Sequence, residues 1–178
     1  MSIAARLDGL EQRLRALSDC AAIEALKARY WHAIDLKRPD VVRDCLAEDL
    51  IVEFEGLPRF ESRDAFMEII RQGAARTQAF DMHHGQNPRI ALTGADSAEG
   101  EWDVFYYGID LSARTLMQMA GAYRDTYVRR GGRWWIATMA MRQTSLHVQS
   151  VDQAGLARTS IFGRAAAPIS FQRQEGSA

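Results

Sequence analysis

Five residues could carry acid–base chemistry if the fold gathers them: Tyr30, Asp35, His83, Asp103 and Arg142. A neutral imidazole accepts a proton near physiological pH, so His83, in the run His83-His84-Gly85-Gln86-Asn87-Pro88-Arg89-Ile90, is the natural general base. Asp35 could accept a hydrogen bond from that ring, fixing its tautomer and stabilising the imidazolium once it forms. A carboxylate at a helix C-terminus opposes the macrodipole, which argues that something beyond the helix retains it. The Tyr30 hydroxyl could donate to a carbonyl or a leaving oxygen. It precedes Asp35 by five positions, so both reach one pocket only if the helix ends or loosens just before Asp35. Each residue also has a plain structural reading: a His bonded to backbone, a core Tyr with a satisfied hydroxyl, a helix-end carboxylate in water.

Asp103 and Arg142 lie in β-patterned runs among apolar neighbours, where an unpartnered charge is costly. They either pair or bind a substrate oxygen jointly, or they form a purely structural ion pair. In an extended segment His84 points to the face opposite His83, and a bulge at Pro88 could shift that assignment by one residue. His32, His83, His84 and His147 show no His-x-His or His-x-x-x-His spacing, so no metal is expected. Without a phosphate-cradling Gly loop or a Gly-x-Ser-x-Gly elbow, nucleotide use and serine hydrolysis are poorly supported, and no cofactor is expected. Trp31, Phe54, Phe105, Tyr107, Met117, Met119 and Tyr123 are the substrate-lining candidates, together with Phe66 and Trp134 or Trp135. The same residues could simply fill the core. A lining of this kind suits a hydrophobic, ring-bearing small molecule.

Positioning these groups falls to helices first and strands afterwards. Ile3, Leu7, Leu10, Leu14 and Leu17 make a narrow apolar stripe, laid on the core of its own domain or on a second subunit. Ser18-Asp19 reads as a cap for a second helix over residues 20–35, whose inner face is Ile23, Leu26, Tyr30 and Ile34, with the Lys27 ammonium reaching water. Pro39 opens a short third helix containing Val41, Val42, Cys45 and Leu46, residues 51–55 alternate as a strand stopped at Gly56, and Ser62 caps a fourth helix. Strands then follow over 83–92, 97–107, 116–129 and 133–147, separated by turn signals, so the sheet is mostly antiparallel. That order is α+β: a cone-shaped, curved sheet with helices over its concave face. Residues 1–150 form one domain, with 1–18 as an extra helix, and 151–178 are a wrapping tail with a loose end.

The 178 residues suffice for one domain with a sizeable core. The net charge of −1 gives no reason to expect nucleic acid or an anionic membrane as partner. No apolar run is long enough to span a membrane and no signal-peptide h-region opens the chain, so a cytoplasmic location is expected. Cys20 and Cys45 stand apart, which suits two reduced thiols.

Tyr30-Trp31-His32-Ala33-Ile34-Asp35, the His83–Ile90 run, Gly121-Ala122-Tyr123-Arg124-Asp125 and Gly132-Arg133-Trp134-Trp135-Ile136 together resemble the SnoaL-like branch of the nuclear transport factor two-like superfamily, over roughly residues 15–147. Polyketide cyclases, scytalone dehydratase, bile-acid dehydratase, ketosteroid isomerase and dioxygenase small subunits belong to that group. The resemblance implies a cystatin-like α+β barrel and a dimer or trimer formed through the outer sheet face. It also implies that Tyr30, Asp35, His83, Asp103 and Arg142 correspond to the dehydratase set.

The expectation is a cofactor-independent lyase acting on a hydrophobic, ring-bearing hydroxylated molecule. His83 would be the base, with Asp35 orienting it and water or formaldehyde leaving. An isomerase or polyketide cyclase in the same pocket is the near alternative. A non-catalytic binding or assembly subunit is the distant one. The distance between His83 and Asp35 separates the enzymatic readings from the last.

Overall fold

The computed structural model describes residues 2–167 and 169. It opens with a single helix, α1 (Ile3–Asp35), of 33 residues, started by Ser2, whose Oγ accepts from the Ala5 amide at 3.2 Å. The expected break at Ser18-Asp19 does not occur. Asp19 turns its carboxylate outward, to the Arg129 guanidinium at 2.8 Å and the Trp134 indole at 2.9 Å, so it does not compete for the helix's own amides. The helix stops after Asp35 because Lys37 adopts the left-handed conformation (φ 56°). Its amide bonds Ile34 O at 2.9 Å and the Arg38 amide bonds Ala33 O at 2.9 Å, closing the last carbonyls in a Schellman arrangement before Pro39.

Helix α2 (Pro39–Arg43) is shorter than the sequence suggests, because Cys45 and Leu46 leave it for the sheet. β1 (Leu46–Phe54) follows, and α3 (Arg63–Ala74) is capped as expected by Ser62, whose Oγ accepts from the Ala65 amide. Then come β2 (Ala79–Leu92), β3 (Ser97–Asp110), β4 (Thr115–Arg130), β5 (Arg133–Val151) and β6 (Ala157–Gly163). The sheet order is β1-β5-β4-β3-β2, antiparallel except for the parallel β1–β5 pair. β6 also pairs with β5, along Ser145–Val151, beyond the stretch that β1 covers. The tail is therefore partly a strand rather than only a wrap. Its expected loose end, residues 172–178, lies outside the described residues.

Alternation divides the sheet cleanly. Ala98, Trp102, Val104, Tyr123, Asp125, Tyr127, Ile136, Met139 and Met141 are buried on the concave face, under α1. One inner row runs Trp102–Tyr123–Met141–Phe54 across four strands. Bulges at Gln86/Arg89, Ala120/Gly121 and Thr126/Tyr127 bend the strands. The first is built on Asn87 (φ 50°) and moves the inward set from His83 and Gly85 to Ile90 and Leu92. It falls after His83, so His83 faces inward and His84 outward. The expected two-sided cover of β5 has the same cause: its buried set changes from Trp134 and Ile136 to Met139 and Met141 at the bulge.

Candidate active site

His83 and Asp35 are brought together. The Asp35 carboxylate takes His83 Nδ1 on Oδ1 at 2.6 Å and the His83 main-chain amide on Oδ2 at 3.0 Å. Two bonds from one carboxylate fix both the ring and the strand that carries it. With Nδ1 engaged, Nε2 is the ring nitrogen left for a substrate. The two side chains are 14% and 16% exposed, shielded yet reachable. They line a cleft of about 260 Å³ between α1 and the edge strand β2, bounded by Ala28, Trp31, His32, His84, Gly85 and Trp102. Gly85 makes this arrangement possible, because a Cβ there would lie 1.9 Å from the Trp31 ring. Trp31 in turn stands edge-on to Trp102 at 5.5 Å and to Tyr123 at 5.7 Å.

Behind His83 is a second layer that the sequence reading missed. The Tyr106 ring lies 4.9 Å from the imidazole, and its hydroxyl donates to Asp81 Oδ1 at 2.6 Å. Asp81 is also bonded by the Lys37 ammonium, which the left-handed turn at the end of α1 delivers. Gly108 leaves room for the Tyr106 hydroxyl, which a Cβ would meet at 2.2 Å. Burial alone would raise the Asp81 carboxyl, but the bonds from Lys37 and Tyr106 outweigh it and hold the group below its ordinary range. Burial and the same carboxylate push the Tyr106 phenol well up, so it stays a neutral donor. Strand parity was the available signal: Asp81 is two residues before His83, and Tyr106 shares a face with Trp102 and Val104.

The other expected members go elsewhere. Tyr30 is 1% exposed in the core, because α1 continues regularly to Asp35 and the two side chains diverge by roughly 140°. Asp103 and Arg142 lie on the outer face of the sheet, on either side of Ala122, and do not pair. Asp103 accepts from Asn87 Nδ2 at 2.8 Å, with Arg89 at 3.9 Å. Arg142 borders a separate cleft of about 230 Å³ with Glu53, Phe54, Glu55, Arg59 and Met141. Of the expected lining, Trp31 borders the His83 cleft, Met119 shares the inner row of His83 and Tyr106, and Phe54 and Tyr123 pack deeper at 5.5 Å. Met117 faces a small cavity beside Tyr106 and Asp81. Phe105 and Tyr107 have outward parity, and Phe105 is 40% exposed.

Lys27 does not reach water. It is fully buried, its Nζ 2.7 Å from Asp125 Oδ2 and 4.1 Å from the Tyr123 ring centroid. Asp125 also accepts from Tyr127 at 2.8 Å, and Tyr127 accepts from the Trp102 indole at 2.9 Å. Burial pushes Lys27 down and Asp125 up, with their mutual attraction working against both shifts. This network and its aromatic neighbours fill the core behind Trp31, and the His83 cleft opens on the other side of that ring. Among the described residues, no three His, Cys, Asp or Glu side chains cluster so as to hold a metal ion, and no helix is long and apolar enough to cross a membrane.

A curved, mostly antiparallel sheet with a helix across its concave face is an architecture of the cystatin-like type. Residues 15–140 match the model of the SnoaL-like domain, and the chain belongs to that family. Solved structures agree on the fold. A scytalone dehydratase-like protein from Novosphingobium aromaticivorans is 23% identical, with a TM-score of 0.69 over 89% of this chain and 97% of that one. The hexachlorocyclohexane dehydrochlorinase LinA-type3 from Novosphingobium barchaimii is 19% identical, with a TM-score of 0.68 over 88% and 99%. An NTF2-like protein with a cystatin-like fold from Novosphingobium aromaticivorans is 20% identical, with a TM-score of 0.64 over 76% and 88%.

Proposed function

We propose that the protein is a cofactor-independent lyase acting on a hydrophobic, ring-bearing hydroxylated small molecule. The observation that carries this reading is the double hold of Asp35 on His83 at 2.6 and 3.0 Å. A carboxylate in that position raises the basicity of the opposite ring nitrogen and stabilises the imidazolium that proton abstraction creates. The indoles of Trp31 and Trp102 border the cleft and give it an apolar side suited to a ring-bearing molecule. The dehydratase and dehydrochlorinase among the similar structures are named for eliminations, which favours loss of a group over a proton shuttle.

In the elimination, His83 Nε2 takes a proton from the carbon beside a carbonyl or ring. The released electron pair forms a C=C bond as the neighbouring C–O bond breaks, and water leaves after the oxygen gains a proton. His32, which borders the cleft on α1, is the candidate in this reading for supplying that proton, while His84 points to the outer face. Tyr30, Asp103 and Arg142 are not candidates, and their parts in this reading are structural. A related version starts from a hydroxymethyl O–H: its deprotonation breaks a C–C bond, releases formaldehyde and expels the β-oxygen as water.

The test is a screen of hydroxylated aromatic and steroid compounds against the wild-type protein and His83→Ala. Turnover in the wild type with water or formaldehyde as co-product, abolished in the variant, is the expected result. Unchanged turnover in the variant would remove His83 from the chemistry. An isomeric product with nothing released would replace the lyase with an isomerase or cyclase.

A further inference from the structure

The N-terminal half of α1 is built as a helix yet leaves its apolar side uncovered. Ile3, Leu7, Leu10, Leu14 and Leu17 are each more than half exposed, from 55% at Leu7 to 77% at Ile3. Their spacing alternates four and three, the repeat of a coiled-coil seam. On a regular helix turning about 100° per residue, this stripe lies roughly 170° round from Ile23, Leu26, Lys27 and Tyr30, which face the sheet. Bending the helix toward its own domain therefore cannot cover it. Gly9, with nothing within 4 Å of where a Cβ would sit, weakens the helix locally, so the segment depends on packing for its stability.

We propose that Ile3–Leu17 pairs with the same segment of a second copy of this chain as a parallel, two-stranded coiled coil. Leu7 and Leu14 then occupy the a positions, and Ile3, Leu10 and Leu17 the d positions. Arg6 and Arg13 fall at g, and Ala4, Glu11 and Ser18 at e. Charge selects the direction. In a parallel pair, Arg6 of each copy lies beside Glu11 of the other, twice by symmetry, whereas an antiparallel pair sets Arg6 against Arg13. The polar e and g positions keep the seam narrow, which suits two strands rather than a broader bundle. Pairing ends well short of Ala28, the first α1 residue at the His83 cleft, by about 16 Å along the helix. The cleft is left accessible to substrate.

The experiment compares the full chain with Leu7→Glu/Leu14→Glu by sedimentation equilibrium, with near-ultraviolet circular dichroism as a check on the fold. The expected result is a twofold fall in mass at an unchanged spectrum. A monomeric wild type, or a double variant that keeps the wild-type mass, overturns the proposal. Arg6→Glu tests the direction. In the parallel pair it sets Glu against Glu11 and raises the dimer dissociation constant about three- to tenfold, and Arg6→Glu/Glu11→Arg restores it. An Arg6→Glu variant that dimerises more tightly supports antiparallel pairing and overturns the proposal as stated.

Discussion

Asp35 holds His83 at two points, ring and main chain, across a separation of 48 residues in sequence. Replacing the carboxylate with the isosteric amide keeps the acceptor oxygen for the main-chain amide but removes the charge that stabilises the imidazolium. Asp35→Asn is expected to lower kcat by roughly 10²–10⁴-fold, the range spanned by acid–base assistance and loss of the orienting carboxylate. KM should move little, because Asp35 sits behind the base. A variant within threefold of wild-type kcat, measured on the substrate identified by screening, would leave Asp35 only a structural part.

Asp81 supports the same imidazole from behind, through Tyr106, and its folded carboxyl lies below its ordinary value. A depressed carboxyl stabilises the fold above its unfolded pKa of about 3.9, and that contribution is lost as pH falls through the folded value. Asp81→Asn is thus expected to cost about 1.5–3 kcal/mol at pH 7, the worth of hydrogen bonds to a charged group. The difference from wild type should narrow below about pH 4. Urea unfolding midpoints at pH 7 and pH 3.5 measure it, and a pH-independent gap would mean that the charge is not what matters.

Much of this was legible in the sequence, for physical reasons that differ by residue. The His83–Asp35 pair was readable because a helix end and a strand start are rigid markers, and each residue's chemistry asks for the other. β3 and β4 were readable as strands, but the expected lining drew Phe105 and Tyr107 from the outward set of β3. Tyr30 was misplaced because helix phase was relaxed to fit a pocket, while the real helix keeps its phase to Asp35 and turns only at Lys37. Asp103 and Arg142 were paired on the premise that apolar sequence neighbours mean burial. In a strand those neighbours lie on the opposite face, so Trp102 and Val104 are buried while Asp103 is partly exposed. The Lys27–Asp125 bond joins α1 to β4 across the core, and no local pattern announces such a contact.

Gly85 is the floor on which Trp31 rests. An alanine there would place its Cβ 1.9 Å from the indole, which is itself boxed by Trp102 and Tyr123. Strand glycine to alanine alone would be mildly favourable through the unfolded chain, by about 0.4–1 kcal/mol. Here overpacking wins, and Gly85→Ala is expected to destabilise by about 1–3 kcal/mol. The indole must shift, so the tryptophan fluorescence of the native state should change as well. A neutral or stabilising effect in urea, with the spectrum unaltered, would show that the site has slack.

Lys27 and Asp125 are both fully buried, and breaking such a pair leaves one charge alone in an apolar core. Lys27→Met is expected to cost about 3–5 kcal/mol at pH 7, whereas Lys27→Met/Asp125→Leu should recover most of it. Recovery will fall short by the bond that Tyr127 donates to Asp125. The single variant also has a distinctive pH dependence. Burial already holds the Asp125 carboxyl above its ordinary value, and removing the ammonium deletes the main force opposing that rise. A group raised on folding stabilises fully below its unfolded pKa, about 3.9, and loses that contribution as pH climbs through the folded value. Relative to wild type, Lys27→Met should therefore gain stability as pH falls from 7 toward 4. Denaturant titrations of the three proteins across that range decide the matter. If Lys27→Met instead loses ground to wild type on acidification, Asp125 has found another cation or water, and the pair is not the closed unit that its burial indicates.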